Sequence, residues 1–316
     1  MMNLISMRYF VELAENLNFT RAAQNLSTSQ QNLSVHIKKL EDYYDTILFH
    51  RKPQIKLTQA GSALYDSAIK ILMESDNISS RLSDIKHHHI GTLYIGATPY
   101  RGSYWLPMVL PDYIKKWPNI TINLTNEKSA RMEQMLMSGE LDFFVGIKQG
   151  DDPLLKTIPL MNDRLYLAVN KNLLIEHFGS DTDNFIAGCQ QGTTLDKFKD
   201  FPFICFKSDY RLHKIVNACF EEAGFEPRRI FEVDSIDVML ALFEFGVFFL
   251  TEIRIPSLQE RYPEGVFLPV LLQNDYVFSP LSIIYHKNRY LSRYARDFIS
   301  RTTALFGTPG PFSRHR

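Results

Sequence analysis

No unbroken apolar run of roughly 18 residues or more occurs in the 316-residue chain, so no membrane-spanning helix is expected. The opening MMNLISMRYF has no charged leader ahead of an apolar segment, so no secretory signal is expected. Cysteine is scarce. Cys189, Cys205 and Cys219 are an odd count without metal-like spacing, which excludes a disulfide framework and suits reduced thiols in the cytoplasm. Neither charge sign dominates, because 35 Lys and Arg balance 35 Asp and Glu. A polybasic chain is thereby excluded, and any contact with nucleic acid must come from a local patch. Catalytic signatures are missing as well. There is no G-x-S-x-G, no P-loop and no H-E-x-x-H, and the nine histidines are scattered. The adjacent His87, His88 and His89 share no helix or strand face, so a solvated hinge is expected there rather than a metal site. Neither an enzyme nor a bound metal or cofactor is expected.

What is present starts with ordinary globular composition, 45% hydrophobic, in a chain long enough for two or three domains. Residues 19–61 are the most informative. A short helix centred on Ala22 and Ala23 ends at Leu26, a turn follows at Ser27 and Thr28, and Ser29 is an expected N-cap for a second helix. Two helices joined by a tight turn set the second into the DNA major groove. Leu33, Ile37 and Leu40 form its apolar stripe, so Gln31, Val35 and Lys38 point away, flanked by Asn32 and Ser34. Gln and Asn pair bidentately with adenine, and Val35 suits a thymine methyl. Lys38 and Lys39 suit phosphate. A solvated amphipathic helix reads the same way in isolation. The continuation Leu48-Phe49-His50-Arg51-Lys52-Pro53-Gln54-Ile55-Lys56 suits a two-stranded basic wing. Leu57-Thr58-Gln59-Ala60-Gly61 opens a further helix, with Thr58 as its N-cap. The segment holds six Lys or Arg against three Asp or Glu.

The blocks LISMRYFVELAENLNFTRAAQNL, SQQNLSVHIKKLE, LF-R and LTQAG stand in this order at family spacing, and the sequence resembles the LysR-type transcriptional regulators to about residue 300. Gln31 stands where the family often has proline, Val35 where arginine is common, and Asp45 replaces a turn glycine. The wing is about one residue short. The candidate DNA contacts are Thr20, Arg21, Ser29, Gln30, Gln31, Asn32, Ser34, Val35, Lys38, Arg51 and Lys52.

The expected fold class is α/β. It combines an N-terminal all-α winged helix-turn-helix (1–61), a linker helix and hinge (62–90) and a two-lobed effector domain similar to periplasmic binding proteins (91–305). Lobe I spans about 91–163 and 269–305, lobe II about 164–268, and 306–316 is a tail. Residues 58–86 read as one helix with an apolar stripe through Leu64, Ala68, Ile71, Leu72, Ile78, Leu82 and Ile85, suited to a second copy of itself. From Gly91, strands and helices alternate, which suggests a parallel sheet. Late strands around Leu165–Val169 and Leu281–Tyr285 are expected to cross between lobes.

Ligands of open α/β sheets sit at strand C-termini beside helix N-termini. Thr98-Pro99-Tyr100-Arg101-Gly102-Ser103 offers hydroxyls, a glycine and a cation ahead of a helix, which favours an anionic effector. Ser129 is a predicted N-cap, and Lys207-Ser208-Asp209-Tyr210 repeats the arrangement. Thr98 and Ser129 read equally as plain caps, and Arg101 and Lys207 as solvated loop residues. By the resemblance, Thr98 to Ser103, Ser129, Ile147, Lys207, Ser208 and Tyr210 line the effector cleft, with Asp234 and Phe248 as further candidates. Phe248 replaces a family glycine. The resemblance also implies double-stranded DNA, a small-molecule effector and RNA polymerase as partners, and a homodimer or homotetramer. An enzyme or solute-binding protein with an accessory helix-turn-helix is the alternative.

Overall fold

The computed structural model describes residues 3–85, 90–148, 150–207 and 211–307. The histidine run 87–89 and residues 308–316 of the tail lie outside the described residues.

The first three helices are α1 Leu4–Asn16, α2 Phe19–Asn25 and α3 Gln30–Tyr44. Each is started by a side-chain cap that accepts one of the orphan N–H groups. Asn3 accepts from Ser6 N, Asn18 from Arg21 N, and Ser29 from Asn32 N at 3.1 Å. Asp45 ends α3 in the left-handed conformation at φ 46°, as its short polar side chain permits. The wing is β1 Phe49–His50 paired antiparallel with β2 Lys56–Leu57. Thr58 Oγ1 then accepts from Gly61 N at 2.9 Å and opens α4, Gln59–Ile85. A Cβ at Gly61 would lie 2.2 Å from the Leu48 carbonyl oxygen, so the glycine lets the linker helix touch the wing. Met7, Phe10, Leu13, Leu33, Ile37, Leu40 and Phe49 fill one core beneath these elements, with Ala68 of α4 sealing it.

The second half runs β3 Gly91–Ala97, α5 Pro99–Lys116, β4 Ile120–Asn126, α6 Ser129–Ser138, β5 Phe143–Gly146, β6 Leu155–Asn170, α7 Lys171–Phe178 and α8 Thr182–Cys189. It continues β7 Pro202–Phe206, α9 Arg211–Ala223, β8 Arg228–Val233, α10 Ile236–Ala241, β9 Phe248–Thr251, α11 Ile255–Arg261, β10 Gly265–Pro269, β11 Leu271–Leu272, β12 Asp275–Tyr276, β13 Phe278–His286 and α12 Arg293–Leu305. The main sheet has the order β10-β6-β13-β5-β3-β4. The parallel pairing expected from sequence holds for β3 with β4 and β5 and for β7 with β8. The remaining ladders of the main sheet are antiparallel. The 16-residue β6 pairs through Leu155–Arg164 with β13 and through Leu165–Asn170 with β9 and β10, so one strand runs from the first lobe into the second.

Each lobe has its own core. Leu93, Ile95, Trp105, Tyr113, Phe143 and Phe298 fill the first. Leu167, Phe198, Phe203, Phe220 and Phe249 fill the second. A further cluster of Ala168, Phe206, Met239, Phe243, Phe248 and Leu250 receives Tyr100 from α5.

Four details differ from the sequence reading. Helix α5 starts at Pro99 rather than Ser103, because proline has the backbone angle that a first helical residue needs. Lys128, not Ser129, is the N-cap of α6, set by its extended backbone rather than by a side-chain capping bond. The closing helix, which the sequence suggests over 287–305, starts at Arg293, because Ser292 Oγ accepts from Ala295 N and caps it there. Helices α7, α8 and α11, strand β10 and the β11–β12 hairpin had no sequence counterpart.

Helix α4 is docked on the first lobe. Asn77 donates to Asn288 O at 2.8 Å and accepts from Tyr290 N at 2.8 Å, and Asp84 accepts from Tyr290 OH and Arg293 N. Its Ile71, Ile78, Leu82 and Ile85 stay exposed, at 40, 50, 50 and 70%.

Candidate functional site

Two sites stand out, one on α3 and one between the lobes. On α3 the apolar stripe Leu33, Ile37 and Leu40 is at most 1% exposed, so helical geometry puts Gln31, Val35 and Lys38 outside. Gln31, Asn32 and Lys38 are exposed, Val35 is 49% exposed and Ser34 is half-buried. Gln30 Nε2 donates to Thr20 Oγ1, tying the starts of α2 and α3 together. Asn32 Nδ2 donates to Thr28 Oγ1 at 2.9 Å, which orients that amide. Thr20 and Arg21 of α2 and Ser29 are exposed beside them. On the wing, Arg51 pairs with Glu41 Oε2 at 3.0 Å while Glu41 Oε1 accepts from Leu48 N. Arg51 therefore fastens the wing to α3. Lys38, Lys39 and Lys52 are exposed and have no ion pair among the described residues. Behind α3, His36 bonds Ser6 Oγ and packs on Tyr9, and burial followed by the Lys39 charge holds it below its usual pKa. The outer face thus carries amides, a hydroxyl, one branched apolar chain and loose ammonium groups, which suits base edges flanked by phosphates.

Between the lobes lies a cleft of about 550 Å³, in the size range of small-molecule sites. Its apolar walls are Leu106 and Leu110 of α5, Leu124 of β4, Phe206 of β7 and Ile236 of α10. Ser103, Asn126, Asp234, Ser235 and Asp237 are among its polar side chains. Of the residues expected from sequence, Tyr100, Gly102, Ser103 and Asp234 meet there. Gly102 is required by close packing, since a Cβ would come 2.8 Å from that of Ala97. Lys207 stands at the margin, paired with Asp234 at 3.0 Å, and this pairing lowers the Asp234 pKa.

Other expected residues are elsewhere. Arg101 is neither a loop residue nor exposed. It lies in the first turn of α5, 5% exposed, with Nε on Asp163 Oδ2 at 2.9 Å and Nη2 donating to Ser279 O at 3.3 Å. The cation is consumed inside the fold and does not face the cleft. Phe248 is fully buried against Phe243. Ser129 is buried, and Thr98 and Ile147 are half-buried outside the lining. Ser208 and Tyr210 lie outside the described residues.

The first turn of α5 instead fastens the two lobes. Tyr100 OH accepts from Thr251 N at 2.8 Å, and burial pushes that phenol pKa up. Asp163 Oδ1 accepts from Ile253 N at 3.0 Å. Arg254 Nη1 donates to Ser103 Oγ at 3.2 Å, with the guanidinium over the Tyr100 and Tyr104 rings. Sequence reasoning missed Asp163, Thr251 and Arg254. Their partners lie 62, 151 and 151 positions away, and no spacing rule reaches that far.

Residues 4–62 match the bacterial regulatory helix-turn-helix protein, lysR family. Residues 86–306 match the LysR substrate binding domain. YwbI of Bacillus subtilis (strain 168), an uncharacterized HTH-type transcriptional regulator, is 31% identical, over 98% of this chain and 98% of its own. Among solved structures, full-length OxyR from Pseudomonas aeruginosa superposes with a TM-score of 0.69 at 21% identity, covering 97% of this chain and 95% of the other. Full-length CbnR complexed with its target DNA gives 0.57 at 22% identity, covering 96 and 99%. At these identities the likeness shows the fold. No described helix is long and apolar enough to cross a membrane. With both family models matched in order along nearly the whole chain, this protein belongs to the LysR family of transcriptional regulators, a DNA-binding regulator with an effector-binding domain and not an enzyme.

Proposed function

We propose that the chain is a cytoplasmic regulator. In this reading residues 1–61 recognise a specific double-stranded operator, residues 62–90 pair two copies, and the cleft within residues 91–305 takes a small-molecule effector. The exposed face of α3 carries this reading. It presents Gln31, Val35 and Lys38 from a helix held by a cap, a wing and a closed core. The solvent-facing Ile71, Ile78, Leu82 and Ile85 of α4 support pairing with a second copy, since such a stripe is normally covered. Two copies place two recognition helices on successive major grooves, about 34 Å apart. Two such pairs make the tetramer usual in the family, which bends DNA and meets RNA polymerase.

The effector works through differential affinity for two lobe arrangements. Closure strains or relieves the Tyr100, Arg101 and Ser103 fasteners, and the first lobe holds α4 through Asn77 and Asp84. The first lobe thus carries both the cleft fasteners and the bonds to α4, and in this reading it transmits the signal from cleft to dimer. Footprinting on the DNA upstream of the protein's own gene over a salt series tests the reading. It predicts a protected region that weakens steeply with salt. No protection at low salt by a folded protein contradicts it.

A further inference from the structure

The interlobe cleft is chemically lopsided. On the α5 side, Ser103 Oγ accepts from Arg254, and no other partner for this hydroxyl is seen among the described residues. The Ser103 proton is therefore turned away from Arg254, and Ser103 itself is exposed on the cleft wall. Arg254 is only 8% exposed, and its Nε has no hydrogen-bond partner. A nearly sealed guanidinium thus stands behind the hydroxyl. It adds its charge to that of the α5 N-terminus, a helix of 18 residues. This wall offers donors and positive potential.

The opposite wall offers acceptors. Asp234 and Asp237 both line the cleft, and Asp237 is exposed with no ion pair among the described residues. Lys207 answers Asp234. No Lys, Arg or His belongs to the lining. Between the two walls lie Leu106, Leu110, Phe206 and Ile236, which can cover an apolar body but satisfy no polar group.

We propose that the cleft binds a small zwitterion with an apolar body, of the class of apolar amino acids and their close analogues. The carboxylate meets Ser103 Oγ–H beside the α5 N-terminus, the ammonium meets Asp237, and the side chain packs on Leu106, Leu110, Phe206 and Ile236. Arg254 is a positioning residue that turns the Ser103 proton toward the ligand. This deepens the reading of the cleft as the effector site and rests on it.

The test is calorimetric titration of the full-length protein with phenylalanine and leucine, each compared with its decarboxylated amine and its deaminated acid. At least one amino acid should bind about tenfold more tightly than either fragment, because each fragment lacks one charge-assisted hydrogen bond. Asp237→Asn should bring that amino acid down to the level of its acid. Ser103→Ala, an exposed change with little demand on folding, should bring it toward the level of its amine. Arg254→Met should act like Ser103→Ala, and Arg254→Lys should restore part of the loss. Equal or tighter binding of the acid or of the amine, or no response to Asp237→Asn and Ser103→Ala, overturns the zwitterion and leaves the cleft as a site of other chemistry. Binding of none of the six compounds overturns the zwitterion proposal as well, while the effector-site reading stands or falls on whether any ligand of another class binds the full-length protein.

Discussion

Arg101 Nε lies 2.9 Å from Asp163 Oδ2, with the two side chains 6 and 0% exposed. The same carboxylate accepts from Ile253 N, and the same guanidinium donates to Ser279 O. One buried ion pair therefore joins the start of α5 to the strand that runs through both lobes and to the segment after β9. Removing one partner leaves an uncompensated buried charge, which typically costs about 3–5 kcal/mol. Arg101→Ala should lower the unfolding free energy of the effector half by about that amount in urea. The double substitution Arg101→Met with Asp163→Leu should recover part of it. A loss below about 1 kcal/mol for Arg101→Ala contradicts a dry, structural pair.

Gly61→Ala tests the contact of linker and wing. The new methyl must displace backbone, since the Leu48 oxygen is 2.2 Å from the ideal Cβ. Overpacking of this kind costs about 1–3 kcal/mol. The melting temperature should fall, and DNA affinity should fall further than the stability loss explains, because the wing shifts. Unchanged melting and affinity show that the wing yields freely.

Glu15 should make stability depend on pH near neutrality. Burial, then the Glu140 charge, raises its pKa from 4.5 to about 7, and Tyr65 OH donates to it at 3.2 Å. Glu12 adds repulsion, and Arg131 opposes it. The folded state holds this proton more tightly than the unfolded one. Its contribution is therefore complete below about 4.5 and is lost as pH rises through about 7. Thermal melts across this window should show the native protein losing stability toward the alkaline end, and Glu15→Gln should flatten the profile. A Gln variant with the native profile assigns the dependence to other groups.

The exposed α4 stripe predicts association. Leu82→Asp, at a position 50% exposed, should leave the fold of one chain unaltered while sedimentation shows monomers in place of the native oligomer. An unchanged sedimentation coefficient places the interface elsewhere.

The DNA-binding half was legible because its signals are local. Ser29, Asp45 and Thr58 act within a turn of themselves, and Leu33, Ile37 and Leu40 declare their face by spacing alone. The alternation of strands and helices after Gly91 was legible for the same reason, whereas the antiparallel pairing of β6 with β9, β10 and β13 joins distant segments and was not. Helices α7 and α8, eight residues each, are too short for a periodic signal. Arg101 was misread because hydropathy sorts charge to the surface, and its partner is distant in sequence. Phe248 follows Val247 and precedes Phe249 and Leu250 in an apolar run that reads as core, and the structure buries it there. The cleft needed coordinates, since Ser103, Phe206 and Asp237 come from three separate elements.

The central claim is that α3 reads bases, and selection from a randomised duplex pool tests it most directly. Native protein should recover paired half-sites of opposite orientation. Gln31→Ala should keep the half-site spacing but lose identity at one or two positions, a change worth about 1–3 kcal/mol in discrimination. A pool that never converges, or one that converges on the same bases without the Gln31 amide, contradicts it.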